Sequence, residues 1–210
     1  QRFFRLYENL SGMTGTAVGC ERELHDVYNL QVQEIPLRVP SQRIVYSTRF
    51  FSKAAAKNSA VIDAAMACRN QGRAVLIGTR SISDSEILAR GLESHGVPFE
   101  LLNGIQNSDE AEIVSKAGQP GAITIATNLA GRGTDIALHE DVRQRGGLHV
   151  IVTECQTSGR MDRQLIGRCA RQGDPGSAEV LVSADDTLVA QYGPWLANAL
   201  CREADQNSEV

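Results

Sequence analysis

Apolar and polar positions alternate along this chain in two rhythms. Short β-branched runs, Ile44 to Ser47, Ala74 to Thr79, Phe99 to Asn103, Ala122 to Thr127, Leu148 to Thr153 and Ala178 to Ser183, are bounded by turn residues and separated by stretches of helical spacing. Near-continuous apolar strands alternating with helices mark βαβ units, in which both faces of a parallel sheet are covered. The pattern predicts an α/β fold with a doubly wound, mainly parallel sheet.

The helical stretches carry their own start and stop signals. Lys53 to Asn70 places alanine, valine, isoleucine and methionine at helical spacing and stops at Gly72, and Ser81 to His95 opens on capping residues and ends at Gly96-Val97-Pro98. A shorter helix is predicted from Asp109 to Lys116. Another, from Met161 to Arg171, is stopped by Gly173-Asp174-Pro175-Gly176, which puts the arginines of that stretch on a helix. Before the first strand the pattern predicts a helix from Phe3 to Leu10, a Met13-Thr-Gly-Thr-Ala17 connection and an acidic helix from Glu21 to Tyr28. After Asp186 it predicts helix over Thr187 to Cys201, around Gly193-Pro194, and a disordered polar tail over the last nine residues. The division is a lead-in segment over 1–43, a central α/β domain over 44–186, and a C-terminal helix and tail over 187–210.

Length and composition narrow the class. A chain of 210 residues, 42% of them hydrophobic, is enough for one well-cored α/β domain. It opens on Gln1 without a charged-then-apolar leader, the expectation for a piece of a longer polypeptide. No run reaches the roughly 18 apolar residues of a membrane span. A net charge of −4 argues against a dedicated nucleic-acid binder, although Arg160, Arg163, Arg168 and Arg171 make one locally basic stretch. Five cysteines at irregular spacing (Cys20, Cys68, Cys155, Cys169, Cys201) fit neither a disulfide framework nor a zinc ribbon, and are expected reduced and mostly buried. The four histidines form no i, i+4 ligand pair, so no metal site is expected and they read as surface or packing residues.

Two glycine-and-arginine stretches carry the candidate chemistry. In Ala126-Thr-Asn-Leu-Ala-Gly-Arg-Gly-Thr-Asp135, Gly131 and Gly133 permit positive φ and close backbone approach, Arg132 offers a planar cation to phosphate oxygens, and Asp135 can accept from a ribose hydroxyl. The same residues also describe a glycine-rich turn with an exposed arginine and a capping aspartate. In Gln164-Leu-Ile-Gly-Arg-Cys-Ala-Arg-Gln-Gly-Asp-Pro-Gly176, Arg168 and Arg171 sit three apart, on one face of the predicted helix, where two guanidinium groups can meet one anion. Such an arginine, reaching across a cleft, stabilises charge on a transferring phosphoryl group. The alternative is pairing with Asp162 or Asp174. A phosphate-cradling loop needs a lysine directly after a glycine, and Lys53, Lys57 and Lys116 follow Ser52, Ala56 and Ser115. Glu154, after the strand ending at Thr153, stands alone where paired acids would hold magnesium.

The order of these motifs, with Gly12-Met-Thr-Gly-Thr-Ala17 and Val75-Leu-Ile-Gly-Thr79 ahead of them, resembles SecA, the motor ATPase family of bacterial protein export, from Phe3 through Asp186. The resemblance is to its second nucleotide-binding domain and implies a RecA-like fold of the helicase C-terminal type. It implies a first nucleotide-binding domain of the same polypeptide that holds the phosphate loop and Mg, with ATP or ADP in the cleft between the two. By position in the motifs, Arg132, Gly133 and Asp135 would contact nucleotide, Arg168 and Arg171 would be the catalytic arginines at the γ-phosphate, and Gln164 would couple nucleotide state to domain closure. The resemblance also implies restraint of ADP release, a SecYEG-type channel and a preprotein as partners of the full-length protein, and a bacterial cytoplasmic location at the inner membrane. No nucleic acid is expected, and the isolated chain is expected not to hydrolyse ATP.

The chain departs from the family pattern in places. Where the family reads Glu-Arg-His-Glu-Ser-Arg-Arg-Ile-Asp, this chain has Glu154-Cys-Gln-Thr-Ser-Gly-Arg-Met-Asp162, Gly104-Ile-Gln106 replaces a small-residue-then-lysine pattern, and Ala170 replaces a glycine. These differences point to a divergent relative. A helicase second domain and a non-hydrolysing adapter remain alternative readings of the same motifs.

Overall fold

The computed structural model describes residues 2–104, 110–127 and 134–203. A 3-10 turn at Phe4–Leu6 precedes α1 (Glu21–Tyr28), β1 (Gln42–Val45), β2 (Arg49–Phe51), α2 (Ala54–Asn70), β3 (Val75–Thr79), α3 (Ile82–Ser94) and β4 (Glu100–Leu102). The chain continues through α4 (Glu110–Lys116), β5 (Ile123–Thr127), α5 (Glu140–Gln144), β6 (Leu148–Val152), α6 (Gly159–Ile166), β7 (Pro175–Ser183), α7 (Thr187–Tyr192) and α8 (Pro194–Glu203). Among the described residues the strands form one sheet in the order β1-β7-β6-β3-β5-β4, with every pairing parallel. β2 follows β1 along the same edge of β7, pairing Arg49 with Leu181 and Phe51 with Ser183.

Alternate residues of β3, β5, β6 and β7 feed two separate cores, as the period of two requires. Val75, Ile77, Ile123, Ile125, Ile151 and Leu181 pack under α2 and α3 against Val61, Ile62, Ala65, Leu88 and Leu92. Leu76, Ala126, Leu148, Val150, Val152 and Ala178 face the other way, under Ile113 and Val114 of α4, Val142 of α5 and Leu165 of α6. α6 lies close against the sheet because Gly78 has no side chain; a Cβ there would stand 2.2 Å from Leu165 Cδ2. The sheet is therefore wound on both faces, as the apolar rhythm predicts.

Several local expectations need correction. The helix expected over Phe3 to Leu10 is only the exposed Phe4–Leu6 turn, with no buried residue to hold a longer one. The predicted helix over Thr187 to Cys201 is two helices, because Pro194 has no N–H to continue the first and instead opens α8. The helix expected to run from Met161 to Arg171 ends at Ile166, so Arg168 and Arg171 are not on a helix face. The start of α4 at Asp109 and most of the last nine residues lie outside the described residues.

Candidate functional site

The second motif folds as a short helix followed by a strained turn. The backbone N–H of Gln156 donates to Asp162 Oδ1 (2.9 Å), closing the loop ahead of α6, and Leu165 anchors the helix over Gly78. The helix stops at Gly167, where a Cβ would come within 2.7 Å of the Arg163 carbonyl. Beyond it Ala170 (φ 54°) and Gln172 (φ 55°) adopt the left-handed region, followed by Gly173 (φ 89°). For residues with a Cβ this conformation costs about 1 kcal/mol apiece and persists only where neighbours over-determine it. The arginines thus leave the helix and precede β7 in a turn of their own.

That turn still brings the predicted side chains together. Arg171 Nη1 donates to Asp135 Oδ1 (2.9 Å), its Nε donates to the Gly167 carbonyl (2.9 Å), and Gln172 Nε2 donates to Asp135 Oδ2 (2.8 Å). Arg168 Nη1 donates to the carbonyl of Thr134 (3.3 Å). Neither arginine uses Asp162 or Asp174; the latter is taken by Arg143 at 3.0 Å. Both oxygens of Asp135 are occupied by the turn, so in this state the aspartate orients Arg171. Gln164 Nε2 reaches Thr16 Oγ1 in the lead-in segment (3.4 Å), and Arg163 donates to the Val18 carbonyl nearby.

These groups share one open cleft of about 1160 Å³, lined by Thr14, Thr16, Asp135, Gln164, Arg168 and Arg171 among others. Burial pushes the Arg168 guanidinium below its ordinary pKa, and the adjacent charge of Arg171 pushes it the same way, against the pull of Asp135. Two guanidinium groups crowded at a half-buried wall suit a multiply charged anion, which offsets both the lost hydration and the mutual repulsion. Arg160, on the same wall, has a buried Nε with no hydrogen-bond partner. Arg132 and Gly133 lie outside the described residues.

Other candidates resolve into structural roles. Arg80 Nη1 binds Glu154 Oε1 at 2.8 Å, which spends the lone acid considered for a metal, and no group of His, Cys, Asp and Glu that could hold a metal ion occurs among the described residues. Only Cys169 of the five cysteines is fully buried, which corrects the expectation of mostly buried thiols. Burial raises the thiol pKa of Cys155 and of Cys169, and Asp162, Asp186 and Glu154 raise Cys155 further, so neither is an activated nucleophile. His149 is buried among polar partners. Arg73 Nη2 donates to Ser177 Oγ (2.7 Å), which leaves the hydroxyl proton for His149 Nδ1 (2.8 Å), and Nε2–H then faces Glu179 Oε1 (2.9 Å). The sequence signal was available: His149 sits in an otherwise apolar strand, in register with Ser177 of β7 and diagonal to Glu179 two residues on.

The parallel, doubly wound sheet is that of a RecA-like α/β domain. Among solved structures, the crystal structure of the E. coli DEAD-box protein SrmB bound to the regulator of ribonuclease activity RraA matches with a TM-score of 0.55 at 21% identity, covering 76% of this chain and 87% of that one. The second helicase domain of Mss116p bound to an RNA duplex matches with a TM-score of 0.50 at 19% identity, covering 70% and 56%. At these identities the likeness is one of fold. The family model described as the SecA P-loop domain matches residues 40–143 and 137–207, and the chain belongs to the SecA family. The protein translocase subunit SecA 2 of Chlorobium chlorochromatii is 46% identical over 92% of this chain, and that of Bordetella avium 50% identical over 96%. The protein translocase subunit SecA of Desulfovibrio desulfuricans is 48% identical over 92%. The chain spans 29%, 34% and 22% of these three relatives' lengths, respectively. Although the family description names a phosphate loop, no glycine-lysine pair occurs in this chain. Among the described residues no helix is long and apolar enough to cross a membrane.

Proposed function

We propose that this chain is the second nucleotide-binding domain of a SecA-type ATPase and acts on ATP held in a cleft with a first domain that carries the phosphate loop and Mg. The observation that supports this is the meeting of Arg168, Arg171, Asp135 and Gln164 in one cleft, with Arg168 destabilised as a cation by burial and by Arg171. ATP supplies the phosphoanhydride bond, and this chain supplies positioned charge. Arg171, oriented by Asp135 and the Gly167 carbonyl, offers its remaining donors to the terminal phosphate, and Arg168 adds a second cation. Arg132 and Gly133, by their place in the motif, are assigned contact with the nucleotide. Gln164, tied to Thr16, transmits the state of the cleft to the lead-in segment. In the full-length protein this cycle would drive a preprotein through a SecYEG-type channel from the bacterial cytoplasm, with no nucleic acid involved.

The test is Arg171→Ala in the full-length polypeptide. Turnover of ATP is expected to fall by about 10³-fold with the unfolding midpoint retained, as for removal of an arginine that stabilises transition-state charge. Turnover close to wild type would remove Arg171 from the mechanism.

A further inference from the structure

The strained turn that carries the two arginines is held from outside by the edge strand. Gln42 and Arg43 of β1 stand in register with Pro175 and Gly176 at the start of β7. From there Arg43 reaches the carbonyl of Cys169 with two donors, Nε at 3.3 Å and Nη2 at 2.9 Å, while Gln42 Nε2 donates to the carbonyl of Gly173 at 2.6 Å. The two carbonyls bracket the left-handed residues Ala170 and Gln172. Below the turn, Gly176 leaves the room it needs: a Cβ there would stand 2.6 Å from the Ala170 nitrogen. A backbone in a sparsely populated conformation relaxes unless its neighbours fix it, and here the fixing groups on both flanks come from β1.

We infer that Arg43, assisted by Gln42, is a positioning residue for the arginine turn, setting where Arg168 and Arg171 stand in the cleft. This rests on the reading of those arginines given above. Arg43 itself lines the cleft, yet its charged group faces the Cys169 carbonyl, so it acts through the turn. An ammonium cannot reproduce the forked donation of a guanidinium, so lysine can replace Arg43 only in part.

The experiment compares Arg43→Met, Arg43→Lys, Arg69→Met and Arg171→Ala in the full-length polypeptide. Arg69 is the matched control: its Nη1 also donates to a carbonyl, that of Gly121 (2.7 Å), away from the cleft. Displacing a catalytic group by about an ångström costs up to about 10²-fold, so Arg43→Met is expected to lower kcat by about that factor with the KM for ATP held within about twofold. Arg43→Lys should recover only part of the loss. Arg69→Met should keep wild-type kcat, even where its unfolding midpoint falls as far as that of Arg43→Met. Adding Arg43→Met to Arg171→Ala should cost less than the product of the two single losses, because part of the Arg43 effect is exerted through Arg171. Wild-type kcat in Arg43→Met alongside a defective Arg171→Ala would overturn the inference and leave the proposed function standing, as would a fully multiplicative double variant. Wild-type kcat in Arg171→Ala would remove the proposed function, and the inference with it.

Discussion

The two faces of the sheet are made from alternate residues of the same strands, yet only one of them opens. On one side α2 and α3, of 17 and 13 residues, cover Val75, Ile77, Ile123, Ile125 and Ile151 completely. On the other, α4, α5 and α6 have 7, 5 and 8 residues, and the cleft reaches down between them to Leu76, Leu102, Val114 and Ala126. None of the residues of the first core lines the cleft. Long helices seal a face; short ones leave carbonyls, turns and side chains at its rim free to meet a ligand. The arginine turn belongs to the open face, and its strain is stored where the covering is thinnest.

The comparison can be broken most sharply at Leu92, a fully buried residue of the sealed face. Leu92→Ala is expected to cost about 3 kcal/mol of stability by cavity formation, measured by urea denaturation, without changing nucleotide affinity below the transition. A large affinity change at full folding would mean that the two faces are coupled. On the open side the expected effect is smaller and of opposite sign. Ala170→Gly removes the Cβ from a left-handed position and should stabilise the chain by up to about 1 kcal/mol, less the entropy a glycine adds to the unfolded state. A destabilised variant would show that the Ala170 methyl group contributes packing worth more than the strain.

The smallest effect concerns Asp162. Burial raises its carboxyl above the ordinary aspartate range, partly opposed by the Gln156 N–H and by Arg163. The folded chain then holds this proton more tightly than the unfolded chain. The resulting stability is complete below the unfolded pKa and is lost as pH rises through the raised folded value. Asp162→Asn keeps an acceptor for Gln156 and has no charge to bury. Its stability should match wild type in acid and exceed it slightly at neutral pH, which a pair of denaturation series will resolve. Curves that run parallel at all pH values would assign the aspartate no burial cost.

What could be read from the residues divides along the same line as the two faces. β3, β5 and β6 emerge within a residue of their predicted ends because fully buried strands are continuous apolar runs, and α2 and α3 because their stop signals are glycines. β2 escapes notice since three residues carry no period, and α5 since Glu140-Asp-Val-Arg-Gln144 shows the core a single side chain, Val142. At the site, the meeting of Arg168 and Arg171 with Asp135 follows the motif, but its route does not. Helical spacing continues through Met161 to Arg171, and nothing local announces that Ala170 and Gln172 turn left-handed; that conformation is imposed by Gln42, Arg43 and Asp135, residues remote in sequence. Tertiary hydrogen bonds overrode local preference at the place where the chemistry is expected.

The missing side chain at Gly78 has a mechanical meaning of its own. β3 is the middle rail of the sheet, and the seat it offers Leu165 is shaped for contact with bare backbone. One methyl group inserted there would work as a shim beneath Leu165, displacing the C-terminal end of α6 and with it the arginine turn that follows. A change deep inside the molecule would thus be felt at the rim of the cleft, where Arg168 and Arg171 stand.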